Sequence, residues 1–190
     1  MRSNDGAATR MNRVFEPSGY FPVPDGTEVS AFLNGTDVTQ NDVPWNALGA
    51  MSIASGRIGP GVVSWIHAHP VLTQVTYVVT GALTVRMKGP NEIRPYSLTL
   101  HRGQAVLTPP GTFFQLDNQR EESAEVLYLT SPSYVFDMDG DEVAYDDAVL
   151  IARSWAEMES AEFGLPDLDP AGKANDRAAA LRRLQGRKFG

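Results

Sequence analysis

The segment Ala82–Lys88 alternates Leu83, Val85 and Met87 with Thr84, Arg86 and Lys88, then stops at Gly89-Pro90-Asn91. Side chains two apart on a strand share a face, so this run can bury one row of residues and leave the other wet. The same grammar recurs on both sides of it. Thr27–Leu33 ends at Asn34-Gly35, Met51–Ile58 at Gly59-Pro60-Gly61, and Gln74–Thr80 at Gly81. Tyr96–His101, Ala105–Thr108, Thr112–Asp117 and Glu125–Thr130 follow, parted by Gly103, by Pro109-Pro110-Gly111 and by the charged stretch from Gln119 to Ser123. Short strands with turn residues at close intervals mark an all-β sandwich or barrel.

The flanks read differently. Residues 1–26 carry Asn, Asp, Gly, Ser and three prolines and read as an N-terminal arm. After Ser131 the period lengthens: Ile151, Trp155, Met158 and Ala161 have helical spacing, with Gly164-Leu165-Pro166 as a stop. Asp169-Pro170 opens a second helical stretch to about Leu184. The expected organisation is an arm over 1–26, a barrel over 27–135, and a C-terminal helical extension over 136–190 packed on the barrel.

Composition closes off several classes. A chain of 190 residues with 42% hydrophobic content suits one domain with a real core. With no cysteine, disulfides, thiolate metal sites and a thiol nucleophile are excluded. No apolar run approaches the roughly 18 residues that span a bilayer, and Met1–Arg13 has no secretory apolar core. The expectation is a soluble, cytoplasmic protein with no membrane partner. A net charge of −7 argues against nucleic acid as a partner. The basic cluster Arg177, Arg182, Arg183, Arg187 and Lys188 reads as a solvated helix face. The acidic stretch Asp137–Asp147 reads as a solvated turn. It is not a calcium loop, because its glycine falls at the fourth position and Ala148 stands where a closing glutamate is needed. No Walker loop, GxGxxG or GxSxG elbow is present.

Two of the three histidines form His67-Ala68-His69. On a strand both imidazoles project from one face, which makes half of a site for zinc, iron, nickel or copper. Around them the chain reads Gly61, five residues, His67, one, His69, four, Gln74, six, Gly81. Downstream it reads Gly103, five residues, Pro109-Pro110-Gly111, two, Phe114, three, Asn118. In order and spacing these resemble the two cupin motifs, over roughly Met51 to Ser131. The resemblance implies an antiparallel double-stranded β-helix, the jelly-roll barrel of cupins, with a divalent metal inside and pairing into a homodimer. Gln74 stands where the family usually has a metal-binding glutamate, Phe114 where it has the motif-two histidine, and Gln104 where it has an aspartate. The implied ligand set is therefore His67, His69 and Gln74 through its amide oxygen, holding zinc or iron. Phe114 becomes an apolar wall. Trp65 and Tyr77 flank these positions, as pocket lining or as packing between sheets. Alternation points His101 away from the cavity and sets Phe113 opposite to Phe114.

No acid or base is singled out by its position. The expected function is a metal-dependent enzyme acting on a small polar metabolite in the barrel, with the metal as Lewis acid. A tailoring step in a biosynthetic pathway, of cyclase, isomerase, lyase or bond-forming type, is implied by resemblance alone. Two alternatives stay open beside it: a dioxygenase using iron, copper or nickel, and a non-catalytic small-molecule-binding protein with a degenerate site. A third is a regulatory subunit that docks through its C-terminal helices.

Overall fold

The computed structural model describes residues 19–34, 51–160 and 167–188. Its strands build two main sheets. One runs, in spatial order, Phe21–Pro22 (β1), Glu28–Asn34 (β2), Ser52–Ile58 (β3), Ala124–Ser131 (β10), Thr73–Thr80 (β5) and Ala105–Thr108 (β8). The other runs Val149–Ala152 (β13), Ile66–Ala68 (β4), Phe113–Asp117 (β9), Ala82–Lys88 (β6) and Tyr96–His101 (β7). Phe136–Asp139 (β11) and Glu142–Asp146 (β12) form a separate hairpin. All pairings are antiparallel. The fold is all-β, the jelly-roll barrel expected from the sequence.

The core follows from alternation. Leu83, Val85 and Met87 of β6 are fully buried, and Leu100, Phe114 and Leu116 join them from neighbouring strands of the same sheet. Ile58, Val78, Val106, Ala124 and Val126 meet them from the other sheet. Each such side chain removed from water contributes about 1.5–3 kcal/mol before entropy is subtracted. Gly81 turns β5 into β6 at φ +74°, and a Cβ there would lie 2.9 Å from the Ser123 carbonyl oxygen. Only glycine allows both that dihedral and that approach. At the far end of β9, buried Asn118 reaches the carbonyls of Ile58, Gly59 and Glu122 through Nδ2 at 2.9, 3.1 and 2.8 Å. It ties three loops together, which explains an asparagine at the close of the second motif.

The C-terminal third differs from the expected helical extension. Residues 136–152 are strands: β11 and β12 form the hairpin, and β13 joins the second sheet beside β4. Ile151, expected to start a helix, belongs to β13. The helix α1 spans only Trp155–Met158, capped by Ser154, whose hydroxyl accepts from the Glu157 amide. The helical spacing of Ile151, Trp155 and Met158 is also the spacing that packs them, with Ile66, Ala68 and Phe113, into one cluster on the back of β4 and β9. Ala161 and its Gly-Leu-Pro stop lie outside the described residues. The second helix forms as expected, as α2 over Pro170–Lys188.

The charges on these elements find one another. Asp137 and Asp147 are fully buried, pairing with Arg183 at 2.8 Å and Arg177 at 3.2 Å. Asp147 also accepts from the Val135 amide and the Tyr145 hydroxyl, each at 2.7 Å. The acidic stretch and two members of the basic cluster were expected to be solvated. Asp139, Asp141 and Glu142 are exposed as expected, but Asp137 and Asp147 meet Arg183 and Arg177 in one interface, around Val135, Tyr145, Ala180 and Leu184. Part of the expected arm is also built in: Phe21 and Pro22 pair with Val29 and Glu28.

Candidate functional site

His67 lies in the middle of β4, opposite Phe114 of β9 on one side and Leu150 of β13 on the other. Directly opposed residues bring their side chains together, and the His67 and Phe114 rings sit 4.0 Å apart between centroids. His69 follows just beyond the strand. Its ring is 5.4 Å from that of His67, with planes 83° apart, and 5.4 Å from Phe114. The amide of Gly111 donates to the His69 carbonyl at 2.9 Å, so the Pro-Pro-Gly turn holds the backbone of the second histidine. Gln74, on β5, is paired with Thr108 and Thr130 on its two sides.

These three residues share a cavity of about 340 Å³, near the lower end of the size of ligand pockets. Asp25, Tyr128, Tyr134 and Asp146 line it as well. Apolar side chains complete it, among them Val29, Ile53, Leu116, Phe136, Leu150 and Leu184. The cavity thus has polar groups set in a largely apolar wall, the usual make-up of a small-molecule site. Leu184 comes from α2, and Phe136, Asp146 and Leu150 from β11 to β13.

The two imidazoles are held in different ways. His67 Nδ1 lies 3.0 Å from the Trp65 carbonyl. A carbonyl can only accept, so Nδ1 is the donor here and Nε2 is the nitrogen left to act as a ligand. Burial, reinforced by the neighbouring His67, lowers the pKa of His69 from 6.5 to about 3, against the opposing pull of a backbone hydrogen bond at Asp147. Nδ1 of His69 is buried and has no hydrogen-bond partner among the described residues. Gln74 donates through Nε2 to the Thr76 hydroxyl at 3.2 Å, which turns the amide oxygen to other use.

The acids behave differently. Asp146 Oδ1 accepts from the Tyr134 hydroxyl and, at 2.9 Å, from the Ala148 amide. Burial raises the pKa of Asp146. Burial, together with the adjacent Asp146, raises that of Tyr134. The Tyr134 ring stands 5.7 Å from His69. Asp25 Oδ1 accepts from the backbone and the hydroxyl of Thr27 at 2.9 and 2.8 Å, while its Oδ2 is 3.9 Å from His67 Nδ1.

The structure places His67, His69 and Gln74 on one cavity lining; Phe114, expected to line the pocket, belongs instead to the core cluster behind the two imidazoles. Phe114 is wholly buried against both imidazoles, where the resemblance would put a third histidine. Trp65 and Tyr77 are not among the residues that line the cavity. The Arg153 guanidinium lies 4.7 Å from the centroid of the Trp65 ring. Tyr77 is 38% exposed, because Gln74, Thr76 and Val78 occupy the inner face of β5 and its odd positions point out. His101 is exposed and Phe113 belongs to the other cluster, both as expected. Asp25, Tyr128, Tyr134 and Asp146 were missed. Tyr128 alone had a usable signal, since it shares a face of β10 with the buried Val126 and Thr130.

The donor types on this lining, two imidazoles and one amide oxygen, are chemically suited to a borderline divalent ion. The buried, unpartnered nitrogen of His69 and the locked tautomer of His67 are what such a site requires. Phe114 removes a fourth protein ligand. Among the described residues no three His, Asp or Glu side chains converge as a ligand cluster, so an ion here would take its remaining ligands from water or substrate.

Residues 55–130 match the family model described as "Cupin domain". Germin-like protein 3-3 of Oryza sativa subsp. japonica is 33% identical over 119 residues, 58% of this chain and 52% of that one. Oxalate oxidase GF-3.8 of Triticum aestivum is 30% identical over 111 residues, 54% and 50% of the two chains. This chain therefore spans about half the length of the curated relatives it matches. Among solved structures, Peruvianin-I, a cysteine peptidase from Thevetia peruviana latex, superimposes with a TM-score of 0.52 at 16% identity, over 73% of this chain and 74% of that one. That likeness shows the fold. The motif spacing, the two facing sheets and the family match agree: residues 55–130 of this chain match the cupin domain family.

Proposed function

We propose that this protein is a cupin enzyme that encloses a small metabolite in its barrel and acts on it with a divalent ion held by His67, His69 and Gln74. The observation that carries this reading is the pair of buried imidazoles, His67 and His69, on the lining of one cavity. A bound zinc or iron ion would supply Lewis acidity there. The chain's own contribution is positional. Trp65 orients His67, burial keeps His69 unprotonated, and Phe114 keeps water from one side of both rings. With no anionic ligand in the set, the ion would retain its charge and polarise a substrate group strongly, which favours non-redox chemistry such as cyclisation, isomerisation or elimination in a biosynthetic tailoring step.

The names of the relatives do not transfer easily. Oxalate is a dianion, and among the described residues that line the cavity there are two aspartates and no lysine or arginine. A cysteine-peptidase activity is excluded outright by the absence of cysteine.

Elemental analysis of purified protein, beside His67→Ala and Gln74→Ala, tests the proposal. Near-stoichiometric metal that the histidine variant loses supports it, and iron or copper in place of zinc would move the chemistry to dioxygenation. No metal as purified and none after incubation with zinc, iron, copper or nickel would overturn it. Phe114 would then mark a binding cupin whose fourth ligand position has been filled by a ring.

A further inference from the structure

We propose that the cavity selects a ligand with a cationic amine and an apolar body, held through Asp25 and Asp146. The inference rests on the reading of this cavity as the ligand site, but it does not require the metal ion.

Three observations carry it. The first is charge. Asp25 and Asp146 are the ionisable acids that line the cavity, and no lysine or arginine lines it among the described residues. Two carboxylates in a partly desolvated space repel a ligand carboxylate and attract an ammonium or guanidinium. The second is the use each acid makes of its oxygens. Asp25 spends Oδ1 on Thr27, and Asp146 spends Oδ1 on Tyr134 and Ala148. Neither Oδ2 has a hydrogen-bond partner among the described residues. An ammonium has three donors to distribute, and the Tyr128 hydroxyl, on the same cavity lining, offers a further acceptor.

The third observation is the contrast with the neighbouring acid. Asp147 is one residue from Asp146 and is neutralised by Arg177, as Asp137 is by Arg183. This fold supplies an arginine to each wholly buried carboxylate of the hairpin. It supplies no arginine to Asp146 or Asp25. Lys173 acts on Asp146 only through its field, from outside the cavity lining, and neither acid has an ion pair with a lysine or arginine among the described residues, so both can take a charge that arrives from outside. Val29, Ile53, Phe136 and Leu150 accommodate the rest of such a ligand.

An isosteric trio tests this by calorimetry on metal-stripped protein: 3-phenylpropylammonium, 3-phenylpropanol and 3-phenylpropionate. The ammonium is expected to bind at least tenfold more tightly than the alcohol, and the propionate most weakly. Asp146→Asn and Asp25→Asn should each remove most of that preference while leaving affinity for the alcohol within about twofold. Two variants on separate segments guard against one failing to fold, and circular dichroism checks each. Equal or tighter binding of the propionate overturns the inference, as does a preference that survives in the double variant, or no binding of any probe. Zinc uptake, measured separately without probes, tells this failure from that of the proposed metal site. Zinc binding with no amine preference sinks only the present inference, and an amine preference with no zinc binding sinks only the ion.

Discussion

His67, Phe114 and Gln74 sit within strands, with paired neighbours on both sides and a dry core behind Phe114. Asp146 and Tyr134 sit at the ends of a hairpin that belongs to neither main sheet and is fastened to α2 by two ion pairs. One part of the cavity is therefore held by backbone ladders and packing, the other by charge. Packing of the first kind is insensitive to salt and sensitive to volume. The second kind is tolerant of volume and depends on keeping buried charges matched. The same barrel thus holds its two sets of polar groups by different forces, and substitutions should separate them.

The largest effect is expected at the charged fastening. Arg177→Ala leaves Asp147 buried with its cation removed, and breaking a buried pair in this way costs about 3–5 kcal/mol. Urea denaturation measures it, and a loss below about 1 kcal/mol would show that Tyr145 and Val135 suffice for Asp147. Next comes acid. Folded His69 resists protonation down to about pH 3, whereas the unfolded chain takes up a proton near 6.5. Stability from His69 is therefore complete above about pH 6.5 and falls as pH drops toward 3, at up to about 1.4 kcal/mol per pH unit. Lowering the pH from 6.5 to 5 should remove about 2 kcal/mol, and His69→Leu should flatten that part of the profile. A comparable effect belongs to Gly56, where a Cβ would overlap the Tyr128 ring. Gly56→Ala is expected to cost about 1–3 kcal/mol and to displace Tyr128 from the cavity, seen as altered tyrosine near-ultraviolet dichroism. The smallest effect is that of Asp146→Asn. Burial already disfavours its charge and an amide oxygen can accept the same two bonds, so stability should change by less than about 1 kcal/mol. A larger loss would mean that Asp146 shares the structural role of Asp147.

The packed side of the cavity was legible because spacing and alternation both report on strands. His67 and His69 share a face, and Leu83, Val85 and Met87 fill the core in their written order. Tyr77 misleads only when sequence proximity to Gln74 is allowed to override the odd spacing that separates them. The charged side was illegible for a physical reason. Asp137 and Asp147 look like any solvated acidic turn until Arg183 and Arg177, 46 and 30 positions away, are brought against them. Local periodicity holds no record of that meeting. Strands β11 to β13 are short, and the hydrophobic spacing of Ile151, Trp155 and Met158 is equally consistent with a helix or with three elements sharing one cluster. Asp25 falls in the expected arm; in the structure its Oδ1 closes a turn on Thr27. Its second role comes from where that turn lands.

Leu184 lines the cavity from α2, and Asp25, Tyr134, Asp146 and Leu150 line it from outside residues 55–130, the part that carries the family signature. A minimal module trimmed to that signature would retain the imidazoles and lose much of the enclosure, becoming an open cup. For anyone transplanting this pocket into another scaffold, or evolving it toward a new ligand, the useful unit is the whole chain from the first hairpin to the last helix. The region richest in untouched positions for altering selectivity is the C-terminal one, where changes leave the histidine wall in place.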